Sequence, residues 1–115
     1  MHEYHIMEKI VKTAQDSARA NNASKVHAVS LVVGRLTGFE ENCIRLYFEN
    51  LTKSTMLEGA QLKIRHVEGK LKCQTCDTHF DYKEQGFSCP RCGKELAPTE
   101  IGKEFYIENI EIESA

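Results

Sequence analysis

Cys73-Gln-Thr-Cys76, twelve further residues and then Cys89-Pro-Arg-Cys92-Gly93 set the organisation of this 115-residue chain. A Cys-x-x-Cys turn aims two sulfurs at one point and lets nearby backbone N–H groups bond back to them. Pro90 pre-sets the second turn, and Gly93 supplies the left-handed residue by which the chain leaves it. Two such knuckles make a tetrahedral cage of four thiolates, which suits zinc. Four thiolates also close the coordination sphere. The spacing therefore predicts a structural Zn2+ on Cys73, Cys76, Cys89 and Cys92, with no position left for substrate. A rubredoxin-like iron site uses the same ligands, but Asp77 stands where such sites favour Gly. His79, three residues after Cys76, is either a substitute ligand or a surface residue near the knuckle. Segment 72–100 has Phe80, Tyr82, Phe87 and Leu96 as its main apolar content, too thin a core to fold without metal.

On both sides of this segment the apolar residues are periodic. Met7, Ile10, Val11, Ala14 and Ala18 recur at three- and four-residue spacing and predict a helix over 3–20, stopped at Asn21-Asn22. Residues 25–36 read as a strand with Val29, Leu31 and Val33 on one face and Gly34 weakening its end. Thr37 is the expected cap of a second helix over 39–53, with Glu40 three residues on. Its apolar stripe would be Phe39, Cys43, Tyr47 and Leu51, widened by Leu46 and Phe48, so Cys43 reads as a buried small hydrophobe. Leu62 and Ile64 alternate as a second strand, with Val67 and Leu71 on the opposite parity. Phe105 and Ile107 open a third strand, where Ile110 and Ile112 switch parity again. Each switch predicts a bulge or a change of packing partner.

The second helix is a crossover, so the strands it joins run parallel in space. The third strand is then expected between them, antiparallel to both. The fold class is α+β: a three-stranded antiparallel sheet with two helices on one face, plus an inserted zinc-ribbon-like lobe. The domains are 1–71 with 101–115, and 72–100.

Composition narrows the function. The net charge is −2 and the pI about 6.2, and four thiolates on one Zn2+ would take the charge to −4. The bulk positive field of a non-specific nucleic-acid binder is absent. A zinc-ribbon module for nucleic acid or protein remains the rival reading, because Lys70, Lys72, Lys83, Arg91 and Lys94 lie in or beside the lobe, interrupted by Asp77, Asp81 and Glu84. The longest apolar runs, Leu31-Val32-Val33 and Leu46-Tyr47-Phe48, are too short to cross a bilayer. Charges at Glu3, Glu8, Lys9, Lys12, Asp16 and Arg19 break any signal-peptide core, so a cytoplasmic protein is expected. Five cysteines, four of them in close pairs, fit a reducing compartment and a metal rather than a disulfide framework. No Ser/His/Asp set, Gly-rich phosphate loop or paired-carboxylate motif is visible, and an enzyme is not expected.

The chain opens Met1-His2-Glu3. Initiator Met is trimmed before small residues, and His2 is not small, so the Met1 amine stays beside His2. The amine, the ionised amide nitrogen of His2 and its imidazole can close two fused chelate rings on one metal. Glu3 adds its amide nitrogen or its carboxylate. A planar all-nitrogen set suits Ni(II) or Cu(II). With no amide ionised, amine, imidazole, carboxylate and waters make a six-coordinate site instead. His5, one helical turn from His2, is a further candidate or a solvated helix residue. His27 and His66 fall within strands and carry no assigned role.

Met1-His2-Glu3-Tyr4, an opening helix, Val33-Gly34 closing a strand and a four-cysteine lobe before a last short strand together resemble the HypA family of nickel metallochaperones. The resemblance spans essentially the whole chain. It implies transient Ni2+ on His2 with Glu3 as neighbour, structural Zn2+ on the four cysteines, and delivery of nickel during [NiFe]-hydrogenase maturation. A HypB-like GTPase and the hydrogenase large-subunit precursor are the implied partners, in a monomer or homodimer. Some members carry His directly after the second cysteine of each knuckle, in a changeable zinc site. This chain departs from them with Asp77 and Gly93.

Overall fold

The computed structural model describes residues 2–81 and 87–115, with His2 described by its backbone alone. Met7, Ile10, Val11, Ala14 and Ala18 are all buried, so the helix α1, His2–Ala20, lays down the stripe its sequence predicts. It stops at the expected asparagines. Asn22 takes the left-handed conformation (φ 56°), and Asn21 bonds back to Ser17 through both its backbone N–H and its side-chain amide.

The strand β1, Ala23–Gly34, leads into a single 3-10 turn, Arg35–Thr37. The Thr37 hydroxyl donates to the Gly34 carbonyl at 2.8 Å, and Gly38 (φ 73°) reverses the chain. Thr37 is thus spent on closing this turn, and the helix cap falls to Glu40. Its carboxylate accepts from the Cys43 N–H at 3.0 Å, and α2 runs Glu41–Thr52 rather than from 39. A carboxylate there also meets the positive end of the helix dipole.

The stripe of α2 is rotated from the expected one. Ile44, Phe48 and Thr52 are buried, Cys43, Tyr47 and Leu51 half-buried, and Leu46 is 55% exposed. Thr52 tolerates burial because its hydroxyl donates to the Phe48 carbonyl one turn back.

The class expected from sequence is the one observed: two helices, a three-stranded sheet and a cysteine lobe. The strand order differs. With β2, Gln61–Val67, and the last strand β6, Phe105–Ser114, the order is β2-β1-β6. β1 takes the centre, and the two strands joined by the α2 crossover are neighbours. β6 runs antiparallel to β1: the Gly34 N–H meets the Glu104 carbonyl at one end, and the Ala115 N–H meets the Asn22 carbonyl at the other. The reason is burial. Val26, Ala28, Val29, Leu31, Val32 and Val33 are all at most 2% exposed, so β1 is covered on both faces, whereas half-exposed β6 suits an edge. The parity switch in β6 falls where Glu108 and Asn109 are exposed in succession.

The chain divides into two compact units, 1–32 with 39–65 and 106–115, and 33–38 with 66–105. The second is wider than the cysteine segment itself. It holds β3, Lys70–Cys73, β4, Thr78–Asp81, and β5, Ala97–Pro98, in the order β4-β3-β5. β3 is antiparallel to both neighbours, with Leu71 opposite Phe80 and Pro98. The parity switch between Ile64 and Leu71 is therefore a change of sheet. The core of this unit is Leu71, Cys73, Cys89 and Leu96, backed by Leu36, Cys76 and Phe80. Two of its four buried members are cysteines, as thin as the sequence suggests; Phe87 stands 56% exposed, and Tyr82 lies outside the described residues.

Glycines close the base of the second unit. A Cβ on Gly34 would lie 1.9 Å from the Gly102 carbonyl oxygen, which accepts from the Leu36 N–H at 2.8 Å. Gly34 is there for backbone contact, not merely as a weak strand end.

Candidate metal centres

The four cysteine sulfurs all lie within 4.8 Å of one another. The Cys73 and Cys92 sulfurs are 3.6 Å apart, close to the ~3.8 Å edge of a tetrahedron with ~2.3 Å Zn–S bonds. All five cysteines are free. Each knuckle turns a backbone N–H onto its first sulfur. The Cys76 N–H points at the Cys73 sulfur and the Arg91 N–H at the Cys89 sulfur, both at 3.4 Å. The residue after each second cysteine turns left-handed, Asp77 at φ 52° and Gly93 at φ 75°, and each donates its N–H to the first cysteine's carbonyl at 2.8 Å. Asp tolerates that conformation better than most side chains. Its carboxylate is held below the usual range by Lys72, whose ammonium lies 2.9 Å away.

The thiols are electrostatically unequal. Cys89 is lowered to about 7, first by a backbone N–H from Cys92 and then by that of Arg91, against the opposing effect of burial. Cys76 is raised to about 12 by hydrogen bonding with Cys92, by burial, and by its contacts with Cys73 and Cys89. The Cys89 thiolate is thus favoured by its neighbours, whereas Cys76 needs a cation beside it to ionise. Four convergent soft donors, two of them buried, fit zinc. His79 is not in the group: it sits on β4 opposite Lys72, exposed.

At the other candidate centre, Met1 and the His2 side chain lie outside the described residues. The backbone of His2 begins α1, and Glu3 is half-buried in its first turn. His5 is exposed and engaged with Glu8 at 3.1 Å. The Tyr4 ring meets Tyr47 edge-on, centroids 5.4 Å apart, which joins the start of α1 to α2. One turn before Tyr47, the Cys43 thiol is pushed up by burial and by the Glu40 carboxylate, with Glu3 adding to the effect. Cys43 thus lies near enough to the first turn of α1 to feel Glu3, which the sequence did not reveal. Glu40 carried a capping signal and Cys43 a core signal, and neither spacing points to residue 3.

Of the cations in and beside the lobe, Lys70 is paired with Asp81 and Lys72 with Asp77, while Arg91 and Lys94 are exposed. Among the described residues no helix is long and apolar enough to cross a membrane.

Residues 1–112 match the family model described as hydrogenase/urease nickel incorporation, metallochaperone, hypA. The chain is 38% identical over 114 residues to the hydrogenase maturation factor HypA of Caldanaerobacter subterraneus subsp. tengcongensis, covering 98% of this chain and all of that one. It is 32% identical to the hydrogenase maturation factor HypA of Dehalococcoides mccartyi, over 98% of this chain and 95% of the relative. The fold is similar to the solution structure of the Ni metallochaperone HypA from Helicobacter pylori (TM-score 0.67, 19% identity, 98% of both chains). It is also similar to a second HypA solution structure (TM-score 0.68, 23% identity, covering 97% of this chain and 96% of that one).

Proposed function

We propose that this chain, which belongs to the HypA family, holds one Ni2+ at Met1, His2 and Glu3 and passes it to the large-subunit precursor of [NiFe]-hydrogenase. The observation that carries this is the nickel-incorporation match over residues 1–112, which includes the Met-His-Glu start. The chemistry supports it. An amine, an imidazole and a carboxylate on one helix terminus make an open, low-denticity site from which an ion can leave, whereas four convergent thiolates, two of them buried, retain theirs. Near neutral pH the six-coordinate form with Glu3 and waters is favoured, because ionising an amide is costly and the ion must be released. Cys73, Cys76, Cys89 and Cys92 hold a structural Zn2+ that supplies the lobe with the cohesion its small core lacks.

In this reading the protein is a cytoplasmic carrier and not a catalyst. Its partners are a HypB-like GTPase and the hydrogenase precursor, and it works as a monomer or homodimer. The test is His2→Ala in cells. Hydrogenase maturation should be lost at ordinary nickel supply while the melting temperature hardly moves, since one side chain at a helix terminus buries little. Full hydrogenase activity from that variant would overturn the proposal.

A further inference from the structure

The second unit carries an open groove of about 300 Å³, lined among the described residues by Arg35, Leu36, Gly38, Phe87, Pro98 and Lys103. Its apolar wall is Leu36, Phe87 and Pro98, with Phe87 56% exposed. An aromatic ring left this far in water is a poor use of a lobe short of core, and a natural anchor for a partner. Both charged residues of the described lining are cations. Arg35 is paired with Glu68 at 3.1 Å and Lys103 with Glu100 at 3.6 Å. All four side chains are more than two-fifths exposed, so these pairs are weak and open to exchange for another carboxylate.

We propose that this groove docks a segment of a partner protein in which an apolar side chain is flanked by carboxylates, the apolar group seating against Leu36, Phe87 and Pro98 and the carboxylates meeting Arg35 and Lys103. Charge complementarity selects an acidic segment over a basic one. The cavity is small for a whole cofactor but ample for one or two side chains. Pro98 lies on β5, an edge of the β4-β3-β5 sheet, and has no N–H to offer, so recognition there runs through side chains rather than an added strand.

The probe is a short peptide with Leu-Phe between pairs of aspartates, blocked at both ends, added to the 15N-labelled, zinc-loaded full chain. Amides of Leu36, Gly38, Phe87 and Lys103 should shift saturably, and affinity should fall several-fold between about 0.05 and 0.3 M salt. Arg35→Gln with Lys103→Gln, and separately Phe87→Ser, should each weaken binding about tenfold with zinc content unchanged. No saturable shift at about 2 mM peptide overturns the proposal. So does equal binding of the counterpart with lysines for aspartates. Shifts at the same amides on raising protein concentration alone would put a second copy of the chain in the groove, and overturn it too. The peptide arms use the unmodified protein and so stand if a variant misfolds. Nickel is absent throughout, so failure here leaves the nickel proposal untouched.

Discussion

Arg65 on β2 and Glu108 on β6 hold each other at 2.6 Å across a strand to which neither belongs. Lys63 and Glu111 repeat the link at 3.5 Å. Adjacent strands lie about 4.8 Å apart, so each pair spans roughly twice that, and the aliphatic stems must lie over β1. The arrangement helps bury the central strand of a sheet that is only three strands wide. The stems should therefore matter more than the charges. Arg65→Met should keep most of the stability that Arg65→Ala loses. The Arg65/Glu108 double-mutant cycle should return little coupling, as exposed pairs do. Urea unfolding of the four variants checks this; a coupling as large as the loss in Arg65→Ala would show the charge itself to be the main contribution.

Gly34 should resist even the smallest side chain. A methyl there would meet the Gly102 carbonyl carbon and oxygen at 2.1 and 1.9 Å, both rigid backbone. Gly34→Ala should cost about 1–3 kcal/mol or more. Gly93→Ala differs: its Cβ meets nothing within 4 Å, but φ is +75°, so the cost is backbone strain of about 1 kcal/mol. Thermal unfolding of the two variants should rank them in that order.

Removing zinc should unfold one unit and spare the other. The core of the second unit is half cysteine, whereas Met7, Ile10, Val29, Leu31 and Phe48 lie in a unit that contains none of the ligands. Cys89→Ala, or chelation, should collapse the amide dispersion of residues 70–100 and leave that of α1 and β1 near native. Loss of both together would show the first unit to depend on the metal.

The same cage should release zinc in acid. Cys89 is depressed to about 7 in the folded lobe from an ordinary value of 9.0. A depressed acid stabilises the fold fully above its unfolded value and loses that contribution as pH falls through the folded one. In the lobe that zinc holds together, the same bias favours the thiolate the ion needs, and the lobe should hold until protons displace the ion at lower pH. Zinc release followed with a chromophoric chelator would show this. A release curve independent of pH down to about 4 would contradict thiolate ligation.

How far the sequence could be read depends on how local each signal is. The α1 stripe and the two knuckles are set by spacing within a few residues, and Met7 through Ala18 and the cysteine cage stand where that spacing puts them. The central place of β1 is also legible in the sequence, although the crossover argument alone puts the last strand there. Six nearly continuous apolar residues from Val26 to Val33 are the mark of a strand buried on both faces, and such a strand belongs in the middle. The cap at Glu40 and the rotation of α2 were not legible. Thr37 is engaged by Gly34 only because a 3-10 turn forms first, and Leu46 or Thr52 turns inward or outward according to what α1 and β2 offer. The approach of Cys43 to Glu3 depends on how the two helices pack, which no linear spacing encodes.

Nickel binding should itself be a proton competition. In a chain starting at Met1, the amine has a reference pKa of about 7.7–8.0 and the His2 imidazole about 6.5, and both must be neutral to bind. Affinity should fall steadily from about pH 8 to about pH 6. If the His2 amide is ionised as well, the fall is steeper and the complex yellow, planar and diamagnetic. If Glu3 and waters complete six-coordination, it is pale and paramagnetic with a shallower fall, and this is the expected outcome near neutrality. Acetylating the amine, or adding residues before Met1, should weaken binding in either case. Titrating free and blocked protein side by side decides it. Equal affinity would show that the amine is not a ligand, and would turn attention to His5, whose exposed ring meets Glu8 and the edge of Tyr4.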